Sequence, residues 1–454
     1  MNSYIQKIKE IINKFDFPKL CYVHSFGCQQ NVSDGEKILG LLSSLGYGIT
    51  NDINNADIII YNTCAVRENA EQKVYGMIGE LKHIKEKKPD LIIGICGCMA
   101  QEEKTAIKIK TSYKQVDLVF GTHAMSELPR LLYEVYTTRK FISDTGEYNY
   151  LETEYKAVRS SSFKASVPIM YGCNNFCSYC IVPYVRGREQ SRTPEAILNE
   201  VKQLVADGYK EILLLGQNVK SYGKSLDKPV SFADLLKQLN EIDGDFKIRF
   251  MSPHPKDMTN ELIDVIFDCD KICKHIHLPL QSGSNKILQE MNRRYTVEKY
   301  MDIVSYIRNR DPEFSITTDI IVGFPNETYD DFLKTKEVVE KVKYDNIFSF
   351  IYSKRTGTKA AEINDRTSEE DKSRWMTELL QTQREISTDH YKRFIGRTMT
   401  VLFDAEGKNP GIYTGKSDEF IIVEAYYSDS SVIGQRKQVK ITKAYNWALH
   451  GEIL

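Results

Sequence analysis

Short apolar runs alternate with stretches of helical spacing along most of the chain. Residues 19–26 (KLCYVHSF), 56–63 (ADIIIYNT), 90–97 (DLIIGICG) and 116–121 (VDLVFG) read as strands. Helical patterns follow each: Ser33 to Leu45, Glu68 to Lys87, a stretch after Gln101, and one through Leu131. Apolar strands alternating with helices predict a parallel sheet covered on both faces. A polar stretch at 144–162 lacks periodicity and reads as part of a linker.

The alternation then resumes. Residues 166–172, 211–217, 246–252, 275–281, 314–324 and 346–353 are strand-like, with helical patterns such as 194–208 and 231–242 between them. Six such units predict a partial (β/α)6 barrel or an open α/β sheet. A charged helical pattern runs from Glu369 to Arg393. Beyond it, 398–405, 420–427, 437–445 and 450–454 are short β segments, and a span of about 60 residues suits a small β-barrel. The expected division is therefore 19–137, a linker at 138–162, 163–390 and 391–454. A length of 454 residues accommodates these units, each with its own core.

Composition excludes several classes. With 41% hydrophobic and 27% charged residues the chain is of globular type, neither disordered nor collagen-like. No run approaches about 18 apolar residues, the length of a membrane-spanning helix. The N-terminus lacks an apolar signal core; Ile5, Ile8, Ile12 and Phe15 fall instead at helical spacing, so a cytoplasmic protein is expected. Basic and acidic residues number 61 and 62, so contact with a polyanion needs a local basic patch.

The ten cysteines carry the chemistry. In a reducing compartment clustered thiols point to metal or catalysis rather than disulfides. Cys173, Cys177 and Cys180 lie within eight residues just after a strand. Three thiolates leave one metal corner open, which suits a cluster that also binds a substrate. A zinc knuckle with a distant fourth ligand, or a redox thiol cluster, competes with that reading. Cys28, Cys64 and Cys98 form a second set, separated by 36 and 34 residues, about one βαβ unit each. Each follows a strand, and in an open parallel sheet the carboxyl ends of strands share one ligand-binding edge. Ordinary small buried residues are the plainer alternative. Cys21, Cys96, Cys269 and Cys273 read as unliganded thiols, although Cys96 can replace Cys98 in such a set.

At Cys173-x3-Cys177-x2-Cys180 the sequence resembles the radical S-adenosylmethionine enzymes. That family holds a [4Fe-4S] cluster whose open iron binds S-adenosylmethionine, and reductive cleavage releases a 5′-deoxyadenosyl radical. The second thiol set resembles that of the methylthiotransferases within the family, and the terminal β segments resemble their TRAM module. The words SFGCQQNVSD (25–34), NTCAVRENAEQKVYG (62–76), LLGQNVKSYG (214–223), HLPLQSGS (277–284) and IVGFPNET (321–328) resemble the branch acting on isopentenyl-adenosine in tRNA. Gln30 departs from the methionine common at its position, which is not a ligand.

The resemblance implies methylthiolation of carbon 2 of isopentenyl-adenosine at position 37, beside the tRNA anticodon. It implies two [4Fe-4S] clusters and two S-adenosylmethionine molecules per product, one methylating a sulfur and one generating the radical. The carbon 2 hydrogen is beyond acid–base catalysis, so the cofactor supplies the hard step and the protein the positioning. Threonylcarbamoyl-adenosine and a ribosomal-protein aspartate are the substrates of neighbouring branches. A non-catalytic iron–sulfur electron carrier is the reading from another class. Expected partners are the tRNA, a flavodoxin or ferredoxin donor and a sulfur source, with no membrane.

Around the cofactor, Gly216, Gln217 and Asn218 are candidates for its methionine end, Gln281, Ser282 and Gly323 for the adenosine, and Arg249 and Arg294 for the carboxylate. Each is equally readable as packing or a solvated charge. Tyr179, Tyr184, Arg186, Arg188 and Arg192 surround the thiol loop and suit stacking on RNA bases and phosphate pairing. From Tyr391 onward nine basic residues oppose seven acidic ones, a weak signal for RNA binding.

Overall fold

The computed structural model describes residues 2–65, 68–148, 156–251 and 254–454. Residues 149–155 of the expected linker, Val66 and Arg67 beyond Cys64, and Ser252 at the end of one expected strand lie outside them. The chain divides into two compact units: 1–160 with 171–174 and 181–190, and 161–170 with 175–180 and 191–454.

The first unit is built on a parallel six-stranded sheet. Its strands are β1 (Leu20–Ser25), β2 (Gly48–Ile49), β3 (Ile58–Thr63), β4 (Ile92–Gly97), β5 (Leu118–Phe120) and β6 (Ile142–Asp144). Their order is β2-β1-β3-β4-β5-β6. The helices are α1 (Asn2–Ile12), α2 (Gln29–Ser44), α3 (Glu68–Lys87), α4 (Glu103–Ser112) and α5 (Leu128–Thr138). β3 and β4 are buried throughout. Strand alternation sends Ile58 and Ile60 into one core with Leu42, Phe120 and Leu132. It sends Ile59 and Tyr61 into the opposite core with Ile78, Ile93 and Ile95. Burying each such isoleucine contributes about 1.5–3 kcal/mol.

Two features go beyond the periodicity. β2 and β6 are too short to leave an apolar pattern, and they pair with β1 and β5. The stretch read as linker also carries structure at both ends. Ile142–Asp144 forms β6, and Val158 donates its amide to the Glu36 carbonyl at 2.9 Å. Arg159 pairs with the Glu36 carboxylate at 3.1 Å, and the Ser160 amide donates to it at 2.8 Å. Backbone groups and the polar side chains of Glu36 and Arg159 make these attachments, so hydrophobic spacing could not reveal them.

The second unit begins with β7 (Lys164–Pro168). Two short strands, β8 (Met170–Tyr171) and β9 (Gln190–Ser191), flank a segment that carries the thiol motif and helix α6 (Val182–Arg186). β10 (Glu211–Leu215), β11 (Lys247–Phe250), β12 (His275–His277), β13 (Ser315–Val322) and β14 (Asn346–Ile351) follow. Parallel ladders give β7-β10-β11 and β12-β13-β14, and a parallel bridge between Ile248 and Ile272 links the two triplets. Six βα units thus form the expected partial barrel. Its intervening helices are started by hydroxyl caps at Thr193, Ser231, Thr259, Thr296 and Thr328, each accepting a backbone amide of the first turn.

A helix at Glu369–His390 leads to a closed barrel of β15 (Thr398–Glu406), β16 (Ile412–Ser417), β17 (Ile422–Tyr426), β18 (Arg436–Ala444) and β19 (Leu449–Ile453). All its ladders are antiparallel except β17 with β19, which closes the barrel in parallel. Lys164 pairs with Asp404, Lys247 with Asp418 at 2.8 Å, and His275 stacks on Phe420 at 4.7 Å between ring centroids. These contacts seat the small barrel on the strand ends of β7, β11 and β12. No described helix is long and apolar enough to cross a membrane.

Candidate functional site

Cys28, Cys64 and Cys98 each follow the carboxyl end of a strand, on β1, β3 and β4. Register aligns Ser25 with Asn62 and Thr63 with Gly97, so the three thiols sit at one sheet edge. Cys28 caps the N-terminus of α2, and Gly27 before it has φ +99°. A Cβ on Gly27 would fall 2.4 Å from Cys64 Cβ, so only glycine lets this turn lie on Cys64. The Cys98 amide donates to the Thr63 carbonyl at 2.9 Å. A hydrogen bond from the Cys64 thiol pulls the Cys28 thiol down to about 6, against burial and with help from the Arg186 charge. Burial pushes the Cys98 thiol up, while the Arg186 charge draws it down. Cys96, the alternative to Cys98, lies inside the apolar core with Cys21 and Ile38.

Polar residues of α2 surround this edge. Gln30, Asn31, Ser33, Asp34 and Glu36 are all buried. Asn31 donates its amide to the Phe26 and Thr63 carbonyls at 2.8 Å each, and Asn62 donates to the Asn31 carbonyl at 2.7 Å. Arg186, expected to face RNA, is instead only 2% exposed. It donates to Cys98 Sγ at 3.2 Å and to Asn31 Oδ1 and Asp34 Oδ2 at 2.7 Å each. A buried side chain cannot reach RNA, so that expectation is corrected. The cause is helix α6, which packs Ile181 and Val185 against Ala65 and Cys98 and carries Arg186 inward.

The second thiol set occupies the loop after β8. Cys173 donates its amide to the Gly187 carbonyl at 3.1 Å. In the other unit, the Cys180 amide turns back on the Cys177 carbonyl at 2.9 Å. Phe176 takes φ +48°, and Asn292 donates to its carbonyl at 2.8 Å. Ser178 donates its amide and hydroxyl to the carbonyls of Met291 and Glu290 at 3.0 and 2.8 Å. Arg293 is buried and donates to Cys177 Sγ at 3.3 Å. Its neighbour Arg294, the residue expected at the cofactor carboxylate, is exposed. Composition cannot separate the two; positive φ at Asn292 and Arg294 turns Arg293 inward.

The donors are sulfur-rich, mostly buried apart from Cys28 and Cys180, and flanked by the guanidinium groups of Arg186 and Arg293, which fits a thiolate-ligated iron–sulfur centre. Among the described residues no three His, Cys, Asp or Glu side chains are gathered for a single metal ion.

Of the expected cofactor lining, Arg249 is spent elsewhere. It pairs with Glu211 at 2.9 Å and donates to the Ser417 carbonyl at 2.9 Å, tying β11 to the small barrel. The carboxylate role expected of it is corrected for that reason. Asn218 uses both amide ends, donating to Asp257 at 2.9 Å and accepting from the His254 amide at 3.1 Å. Ser282 is buried and accepts the Ser284 amide at 3.2 Å. Gln281 and Gly323 have φ +66° and +73°, and the Gly323 amide donates to Glu327 at 2.5 Å. Gly216 presses on Met170, 2.6 Å from a would-be Cβ. Gln217 Oε1 and Lys220 Nζ are buried without a hydrogen-bond partner among the described residues. Lys220 was not foreseen, because nothing in Val219-Lys220-Ser221 marks a buried lysine.

For RNA, Tyr184 is 48% exposed, and Arg188 is exposed. Arg192 pairs with Glu200 at 2.7 Å and donates to the Pro168 carbonyl, a structural tie. Tyr179 packs beside Ile287, Met291 and Phe324 rather than standing free for stacking.

Three family models match: Uncharacterized protein family UPF0004 at residues 20–121, the Radical SAM superfamily at 167–339 and the TRAM domain at 392–454. A relative in Acetivibrio thermocellus named tRNA-2-methylthio-N(6)-dimethylallyladenosine synthase is 46% identical, covering 99% of this chain and 95% of that protein. One of the same name in Clostridium botulinum is 47% identical, covering 98% of this chain and 100% of that protein. Among solved structures, the radical S-adenosylmethionine methyltransferase TsrM from Kitasatospora setae, with cobalamin and a [4Fe-4S] cluster bound, aligns with TM-score 0.57. It is 13% identical over 76% of this chain and 77% of that one, a likeness of fold.

Proposed function

The chain belongs to the tRNA methylthiotransferases of the radical S-adenosylmethionine superfamily, and from that premise we propose that it methylthiolates carbon 2 of isopentenyl-adenosine at position 37, beside the tRNA anticodon. Membership makes it an enzyme using a [4Fe-4S] cluster and S-adenosylmethionine on a tRNA substrate, and sets aside the electron-carrier reading.

Cys173, Cys177 and Cys180 hold the radical-forming cluster, which with S-adenosylmethionine supplies a carbon radical able to remove the carbon 2 hydrogen. Cys28, Cys64 and Cys98 hold a second cluster. The observation that supports this assignment is that those three thiols follow the ends of adjacent parallel strands at one sheet edge, with Cys28 acidified to about 6. Two centres with separate tasks imply two S-adenosylmethionine molecules per product, one for methyl transfer to sulfur and one for the radical. A flavodoxin or ferredoxin donor supplies the electron, and a separate source the sulfur.

The protein's own groups bind and orient. Arg293 holds Cys177 in place by its N–H···S contact. Lys220 Nζ, buried without a hydrogen-bond partner among the described residues, would meet the cofactor carboxylate in the role expected of Arg249 and Arg294, and Gln217 Oε1 would accept from its amino group. The backbone at Gly216, Gln281 and Gly323 lines the rest of the cofactor. Tyr184 stacks on a loop base turned out of the RNA, and Arg188 takes phosphate.

Mass spectrometry of tRNA nucleosides from a strain lacking the gene tests this. Loss of the methylthio group from isopentenyl-adenosine, restored by the gene, is expected; an unchanged nucleoside profile overturns it.

A further inference from the structure

Arg186 lies six residues beyond Cys180, yet its side chain belongs to the sheet edge of the first unit. Its bonds at this edge divide between oxygen and sulfur. Nη2 is shared by Asn31 Oδ1 and Asp34 Oδ2, while Nε is aimed at sulfur, 3.2 Å from Cys98 Sγ. The acceptors that aim it are themselves fixed. Asn31 is held by the Phe26 and Thr63 carbonyls, and Asp34 accepts from Gln30 at 3.0 Å. A buried ion pair needed only for stability would be met by the Asp34 carboxylate alone, and burying charge for that purpose is a poor bargain against apolar packing. The extra donor directed at a thiol is what such a pair does not require.

We propose that Arg186 is a positioning residue for Cys98, holding Sγ as a hydrogen-bond acceptor and raising the reduction potential of the centre that Cys98 helps to hold. The inference rests on the two-cluster reading above. Hydrogen bonds to ligand sulfur and nearby charge set the potential of iron–sulfur clusters, because they stabilise the more negative reduced state. The planar fork serves both oxygens and the sulfur from one rigid group; the ammonium of a lysine cannot occupy all three places. Asp34 neutralises the charge, so the N–H···S bond is the separable contribution.

The test uses the full chain carrying Cys173→Ala, Cys177→Ala and Cys180→Ala, so that only the centre at Cys28, Cys64 and Cys98 is read. In that background, Arg186→Lys keeps the charge, and the double change Arg186→Gln with Asp34→Asn removes the pair without stranding either partner. After anaerobic reconstitution, iron is counted and the midpoint potential measured by redox titration followed by electron paramagnetic resonance. The expected result is about four iron per chain in parent and variants. The double variant's one-electron equilibrium should shift about tenfold toward the oxidised state, which is about 59 mV lower. Arg186→Lys should move the same way by less, and it decides the matter if the double variant does not fold. A folded Arg186→Lys variant that loses its iron overturns the tuning role and leaves Arg186 a structural tether alone. Potentials matching the parent overturn it. A parent without iron overturns the two-cluster reading instead, so the two failures are distinct.

Discussion

Gly27 and Cys64 are in van der Waals contact at the sheet edge, with no room for a side chain between them: a methyl on Gly27 would lie 2.7 Å from Cys64 Sγ. The backbone there also has φ +99°, a conformation that any L side chain adopts at a cost. Gly27→Ala should therefore displace the turn bearing Cys28. The expected outcome is loss of about half the iron after anaerobic reconstitution, about four of eight per chain, with cofactor cleavage retained. Iron and sulfide analysis reads it; a full complement contradicts the packing argument.

The two thiol sets should be separable. Replacing Cys173, Cys177 and Cys180 by alanine should leave about four iron and abolish cleavage of S-adenosylmethionine. Replacing Cys28, Cys64 and Cys98 should also leave about four, with cleavage intact. If the second variant still binds a full complement, the sheet-edge thiols are not ligands.

Lys220 and Arg249 make opposite predictions. Burial holds the Lys220 ammonium well below its usual range, and a bound carboxylate would restore it. Lys220→Met should weaken S-adenosylmethionine binding at least tenfold, about 1.4 kcal/mol, in equilibrium dialysis. Arg249→Met leaves the buried Glu211 without its guanidinium partner, which costs about 3–5 kcal/mol of stability. Its melting temperature should fall while cofactor affinity stays that of the parent. A reversed pattern returns the carboxylate to Arg249.

Glu327 gives a pH dependence. Burial raises its carboxyl to about 7 from the ordinary 4.5, despite the amides of Gly323 and Phe324 that it accepts. A raised acid binds its proton more tightly in the folded chain. Its contribution is thus fully present below 4.5, declines as pH rises, and is gone above about 7. Urea midpoints at pH 5, 6, 7 and 8 should fall across that window in the parent and flatten in Glu327→Gln. An equal slope in both would refute the assignment.

The exposed side chains beside the thiol loop should report on RNA. Arg188→Ala should weaken tRNA binding and lower the salt slope by about one, and Tyr184→Ala should weaken binding with the slope unchanged. Arg192→Ala should alter stability more than affinity, because Glu200 and the Pro168 carbonyl already hold that side chain. Filter binding across a salt series distinguishes these outcomes.

Much of this molecule was legible in its sequence. Ile58 to Tyr61 and Ile92 to Ile95 announce central strands because β-branched residues buried on both faces leave a continuous apolar run. The six repeats of the barrel follow from the same alternation. The spacing of Cys28, Cys64 and Cys98 placed them at one edge, since successive parallel strands end on the same side. The thiol motif at 173–180 is local and needs no fold to be seen.

What tertiary structure alone decided is which way individual polar side chains face. Arg186 reads as one more basic residue in a row of them, and only the packing of α6 shows that it turns onto Cys98. Arg293 and Arg294 are indistinguishable until two positive φ angles set one inward. Arg249 is consumed by β16, 168 residues away, and Lys220 is sealed in by neighbours it shares no pattern with. Apolar periodicity encodes burial because every residue of a face obeys it together. A single buried cation leaves no period, so its direction is fixed by contacts distant in the chain.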